Sequence, residues 1–141
     1  MTEDEEEQGQ SRAISEPDCI ELLQAHDVGR LAWQTADGPQ ILLISYVYHE
    51  GRVVFRTSPY GPMAELIQSA EVALEIDELD LQRRAGWSVV VQGRAEAVDE
   101  PTELVRLWAV DGAVPWAAGV RNLFIQITPR QITGRTLKAR P

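Results

Sequence analysis

Glu50-Gly51 lies between two apolar stretches, Ile41-Leu42-Leu43-Ile44-Ser45-Tyr46-Val47-Tyr48 and Arg52-Val53-Val54-Phe55. Glycine supplies positive φ in a two-residue link, and β-branched and aromatic flanks favour extended backbone, so this stretch predicts a tight antiparallel hairpin. The same punctuation recurs along the chain. Strands are expected over Arg30 to Gln34, Gln40 to His49, Arg52 to Ser58, Val72 to Ile76, Trp87 to Val98, Leu123 to Thr128 and Gln131 to Thr136. Asp37-Gly38-Pro39 reads as a turn, the polar run Asp77 to Ala85 as a loop, and Gly93 as a bend within its strand. Helical patterns are expected at Glu16 to about His26, Met63 to Gln68, and Glu100 to about Val110. The first opens on Ser15-Glu16-Pro17-Asp18, where Ser15 serves as cap and Asp18 answers it. Consecutive strands without regular intervening helices argue for a mainly β fold: an antiparallel sheet of six or seven strands, curled into a small barrel that removes its edges, with about three short helices.

With 141 residues, 44% of them apolar and 25% charged, the chain has material for one globular domain. No long apolar span marks a membrane segment. A net charge of −9 excludes a general nucleic-acid binder, which needs a basic face to displace counterions from phosphates. Part of that charge is the run Glu3-Asp4-Glu5-Glu6-Glu7, so residues 1–12 read as a disordered acidic tail and 13–141 as the domain. The lone Cys19 permits no internal disulfide and falls on the apolar side of the first helix; with no export signal, the cytoplasm is expected. His26 and His49 are the only histidines, one at a helix end and one, read as exposed, at a turn, and no metal site is expected from them.

The chemistry concentrates in Val53-Val54-Phe55-Arg56-Thr57-Ser58-Pro59-Tyr60-Gly61-Pro62-Met63. An arginine, two hydroxyls and a glycine turn precede a helical pattern, where free amides favour an anion, so the block reads as a phosphate seat. The same residues also read as an ordinary strand end and turn cap with a surface arginine. No dinucleotide fingerprint, P-loop or nucleophile elbow accompanies them.

The ordered set His26-Asp27-Val28-Gly29-Arg30-Leu31-Ala32, Ile41 to Tyr48, Phe55 to Leu66, Gly86-Trp87-Ser88-Val89-Val90-Val91-Gln92-Gly93-Arg94-Ala95-Glu96 and Trp116 to Arg135 resembles the pyridoxamine 5′-phosphate oxidase-like, FMN-binding split-barrel family. The resemblance spans about residues 13 to 136 and implies a split β-barrel homodimer with FMN sites at the interface. It places the phosphate against Arg56, Thr57, Ser58 and the turn Tyr60-Gly61, and the isoalloxazine edge along Leu43, Ile44 and Ser45. By the same resemblance, Trp87 and Ser88 match positions that reach the flavin from a neighbouring strand, and Trp116 matches a loop position that closes the site from the partner subunit. Where many family members carry a Ser-Lys or Ser-x-Lys pair, this chain has Gly61-Pro62, which removes a charged hydrogen bond worth roughly 1.5–3 kcal/mol. The resemblance implies an FMN-dependent oxidoreductase acting on a small molecule. The alternatives are a deazaflavin-dependent reductase of the same fold and a non-catalytic flavin-binding dimer.

Overall fold

The computed structural model describes residues 10–109 and 123–139. Its elements are β1 (Gln10–Ile14), α1 (Glu16–Ala25), β2 (Val28–Thr35), β3 (Gly38–Ser45), β4 (Val47–His49), β5 (Arg52–Thr57), a 3-10 segment (Ala64–Gln68), β6 (Ala70–Asp80), β7 (Ala85–Ala97), α2 (Pro101–Trp108) and β8 (Leu123–Lys138). The eight-stranded antiparallel sheet has the order β3-β2-β6-β7-β8-β5-β4, with β1 paired to β8 beside that path. No helix among the described residues is long and apolar enough to cross a membrane.

The two ends of that strand order are consecutive in the chain, because β3 and β4 are separated by Tyr46 alone. The sheet therefore curls back on itself, which is the expected barrel. Tyr46 holds the crossing: it is fully buried, its N–H donates to the Asp27 carbonyl at 2.9 Å, and its hydroxyl donates to the Leu23 carbonyl at 2.9 Å. Burial pushes that hydroxyl well above the ordinary tyrosine range, with the nearby Asp27 charge acting in the same direction.

Inward positions alternate along each strand as the pleat requires. Leu31 and Trp33, Val72, Leu74 and Ile76, Val89 and Val91, and Val53 and Phe55 meet in one core. Helix α1 closes it with Cys19 and Leu23, four residues apart on one face. Ser15 accepts the Asp18 N–H at 3.3 Å, as the cap reading expects. The hairpin turn is present too, with positive φ at both Glu50 (50°) and Gly51 (78°).

Several boundaries differ from the sequence reading. Gln10 to Arg12, expected in the tail, belong to β1, because β8 extends to Lys138 and offers a ladder partner; residues 1–9 lie outside the described residues. The polar stretch from Asp77 continues β6 as far as Asp80, held in the β7 ladder, and the loop is confined to residues 81–84. The two expected closing strands are one, β8, with Pro129 absorbed where the β7–β8 register shifts between Gln92 and Gly93. The middle helical pattern is a 3-10 segment with no side-chain cap.

Helix α2 packs on the outside of the barrel, with Leu107 against Val54, Val98 and Phe124. Its cap is Glu100, whose carboxylate accepts from Thr102 N–H at 3.0 Å and Glu103 N–H at 2.8 Å. Those bonds hold the carboxyl below its ordinary value of 4.5. A lowered folded value means that the cap contributes fully above the unfolded value and is lost as pH falls through the folded one. Hydrogen-exchange protection at Thr102 and Glu103 is therefore expected to fall on acidification below 4.5, and Glu100→Ala to remove that pH dependence; unchanged protection across the range would contradict the cap.

Candidate functional site

The β4–β5 ladder runs only from His49–Arg52 to Val47–Val54. Beyond it the chain turns away into β3 and pairs with β2, while β5 continues beside β8, and no ladder joins β3 to β5. A split opens between Leu43, Ile44 and Ser45 on one lip and Arg56, Thr57 and Ser58 on the other. Strand edges carry unpaired N–H and C=O groups, so the split offers hydrogen-bonding partners to a ligand laid along it.

Pleating divides the candidate residues between two faces. Leu43 and Ser45 share the outer face with Ser88, since Leu43 lies opposite Arg30, Arg30 opposite Glu75, and Asp77 opposite Ser88. Ile44 points inward and is buried, and Thr57 is wholly buried. Trp87 turns inward to the end of α1, where its ring meets His26 edge-on at 4.9 Å. His26 Nδ1–H donates to the Leu22 carbonyl at 2.8 Å, because a carbonyl only accepts, and Nε2 faces Glu78 Oε2 at 3.5 Å. Trp116 lies outside the described residues.

In the phosphate turn, Ser58 Oγ accepts the Tyr60 N–H at 3.2 Å and the Ser58 carbonyl accepts the Gly61 N–H at 3.2 Å. These two amides are engaged within the turn. Arg56 emerges on the outer face opposite Phe124, with its guanidinium 4.2 Å from the centre of the Trp108 ring. Thr57 Oγ1 is buried without a hydrogen-bond partner among the described residues. A buried hydroxyl left without a partner costs about 1–3 kcal/mol.

The sequence reading did not single out the charges on the outer face. Arg30 Nη1 bridges Glu75 Oε1 at 3.2 Å and Asp77 Oδ2 at 2.8 Å. Burial first, and then Asp77, push the Glu75 carboxyl up, while Arg30 opposes them. Beside them a cavity of about 350 Å³ is lined by Glu75, Ser88, Val90, Thr133, Gly134 and Arg135. The signal in the sequence is the alternation of Glu75 and Asp77, which lie two apart along one strand. A second cavity, of about 750 Å³, lies by the start of α2 between Arg52, Gln126, Glu96 and Glu103. His49, expected to be exposed, is half-buried with Nε2 3.8 Å from Glu50, too far for a hydrogen bond. With Glu103 it forms a cluster of ligand atoms within 4.8 Å, which long-range folding assembles and histidine spacing did not signal; Arg106 pairs with both carboxylates.

The fold recurs in known proteins. The family model for pyridoxamine 5′-phosphate oxidase matches residues 15–136. The chain belongs to this family. The Mycobacterium tuberculosis protein Rv0080 is 31% identical over 126 residues, covering 86% of this chain and 82% of its own. The FAD-binding protein of Mycobacterium smegmatis superposes with a TM-score of 0.75 at 25% identity, covering 89% of this chain and 98% of that one. An FAD-binding protein of Mesorhizobium loti shares the fold, with a TM-score of 0.68 at 23% identity over 91% of this chain and 97% of its own. The family relation agrees with the split-barrel architecture expected from the sequence.

Proposed function

We propose that the protein is a flavin-dependent oxidoreductase acting on a small molecule, with the FMN moiety of its coenzyme lying in the split. The ring follows Leu43, Ile44 and Ser45, and the phosphate sits toward Arg56, Thr57 and Ser58. The observation that carries this reading is the buried, unpartnered Thr57 hydroxyl at the lip of an unpaired strand edge. Family membership and the FAD bound by a relative of 25% identity support a flavin. The flavin supplies hydride or electron transfer when bound; the protein orients it and excludes water. Ser88 faces the ring side across the sheet, and Trp87 supports that strand from within, against His26. Ile41 and Leu43 are 66% and 62% exposed, an apolar strip beside the self-complementary charges of Arg30, Glu75 and Asp77. A second copy covers this strip in a homodimer and supplies the outer wall of the site. Gly61-Pro62, in place of a cation, favours a deazaflavin as the second reading.

The deciding measurement is the visible absorption spectrum of the purified protein. Flavin bands that bleach with a reductant are expected; a colourless protein that takes up no added flavin overturns the proposal, and titration with a deazaflavin then tests the alternative. Thr57→Val adds a separate check. Removing a buried orphan hydroxyl is expected to stabilise the flavin-free protein by about 1 kcal/mol while weakening flavin binding. Chemical denaturation of the stripped protein and a flavin titration read the two effects; loss of stability in the stripped variant would show that the hydroxyl is already satisfied.

A further inference from the structure

The cavity of about 350 Å³ on the outer face is floored by paired strands. Ser88 lies opposite Arg135 and Val90 opposite Thr133 in the β7–β8 ladder, while Glu75 lies opposite Val90 and Asp77 opposite Ser88 in the β6–β7 ladder. Alternation puts all six side chains on one face of the sheet. Two unlike walls result. On β6, Arg30 fixes Glu75 and Asp77 at 3.2 Å and 2.8 Å, and one guanidinium between two carboxylates leaves that wall negative. On β8, Arg135 pairs with no carboxylate among the described residues, whereas Arg30, Arg83, Arg94, Arg106 and Arg130 each do. Beyond it, Ala13 on β1 adds no charge. Between the walls stand the hydroxyls of Ser88 and Thr133 and the apolar side chain of Val90. The walls are two strand spacings apart, about 10 Å at the backbone.

A carboxylate matches the fork of a guanidinium with two parallel hydrogen bonds. A phosphate dianion suits the cavity less, because the carboxylates of the opposite wall repel its second charge. That wall accepts hydrogen bonds, so it favours a hydroxyl or amino group at the far end of a ligand. Val90 favours an apolar middle. We propose that this cavity binds a small hydroxy- or amino-substituted carboxylate, its carboxylate on Arg135 and its donor end toward Glu75. Ser88 lines the cavity and also stands on the ring side of the split, so the bound acid lies where a substrate of the flavin belongs. The substrate role rests on the flavin reading of the split; the binding site does not.

The probe is para-hydroxybenzoate, a flat acid with its carboxylate and hydroxyl at opposite ends, titrated by calorimetry into the full chain with and without flavin. Its neutral isostere para-hydroxybenzamide is the control. Saturable binding of the acid is expected, with the amide weaker by about tenfold or more, the effect of losing a charged hydrogen bond. Arg135→Gln should weaken the acid by about tenfold and the amide little, and Arg135→Lys should recover part of the loss, with circular dichroism confirming that both variants fold. No binding of the acid, equal affinities for acid and amide, or an unchanged affinity in Arg135→Gln overturns the site. In the flavin-loaded protein the acid should shift the visible bands of the flavin; binding that leaves those bands unmoved overturns the substrate role. A protein that binds the acid but takes up no flavin upholds the site and overturns the reading of the split.

Discussion

Gly93→Ala is expected to destabilise the protein by about 3 kcal/mol, the upper end of overpacking costs in a well-packed interior. A Cβ at Gly93 would stand 2.2 Å from the Thr128 carbonyl oxygen, 2.9 Å from its carbon and 3.0 Å from Pro129 Cα. All three are backbone atoms of β8, so no rotamer change relieves the contact, and the ladder itself must part. The position is the register shift of the longest strand pair, where Gln92 faces Gln131 and Gly93 faces Pro129, leaving Arg130 as the extra residue. That bulge accommodates a proline with no N–H to give, and it bends β7 and β8 around the barrel. Thermal and chemical unfolding of the flavin-free variant measure the cost. A loss under about 1 kcal/mol would mean that the bulge migrates to absorb the methyl group.

Arg56→Ala is expected to weaken flavin binding by about 1.5–3 kcal/mol, which is roughly ten- to 150-fold in Kd. The magnitude is that of a hydrogen bond to a charged group. No lysine follows at Gly61-Pro62, and the Tyr60 and Gly61 amides are engaged inside the turn, so on the proposed reading Arg56 is the cation nearest the phosphate in sequence. Arg56→Lys should recover only part of the loss, because an ammonium keeps the charge but not the flat stack on Trp108 or the forked donors. Raising the salt concentration should narrow the gap between the variants, since screening weakens the ionic part of the interaction. Affinity unchanged in Arg56→Ala would put the phosphate elsewhere along the split.

Much of the fold was legible because it rests on local rules. The Glu50-Gly51 hairpin follows from glycine and two apolar runs, and the first helix follows from Ser15, Pro17 and the spacing of Cys19 and Leu23. Where the reading erred, a long-range partner overruled local polarity. Asp77 extends a strand because Arg30 reaches across to it, and Gln10 to Arg12 form a strand because β8 extends to meet them. Pro129 reads as a break until a bulge makes room for it. The candidate site was a set of positions in the sequence without a geometry. Arg56 and Thr57 are neighbours in sequence, yet the pleat sends one outward to Trp108 and the other into the core.

Taken alone, the amino-acid order settled the strand content, the antiparallel pairing of near neighbours and the family resemblance, since each depends on residues close together in the chain or on an ordered pattern. Only the tertiary structure decided that β3 and β4 bridge the two ends of one sheet, that the split lies between Ser45 and Arg56, and that Trp108 stacks on that arginine. Those features come from barrel closure and from α2 packing across β5 and β8, which bring together side chains more than fifty residues apart in the chain. Closure is selected by burying a common core and pairing otherwise open edges, a balance over the whole sheet that no local window of sequence contains.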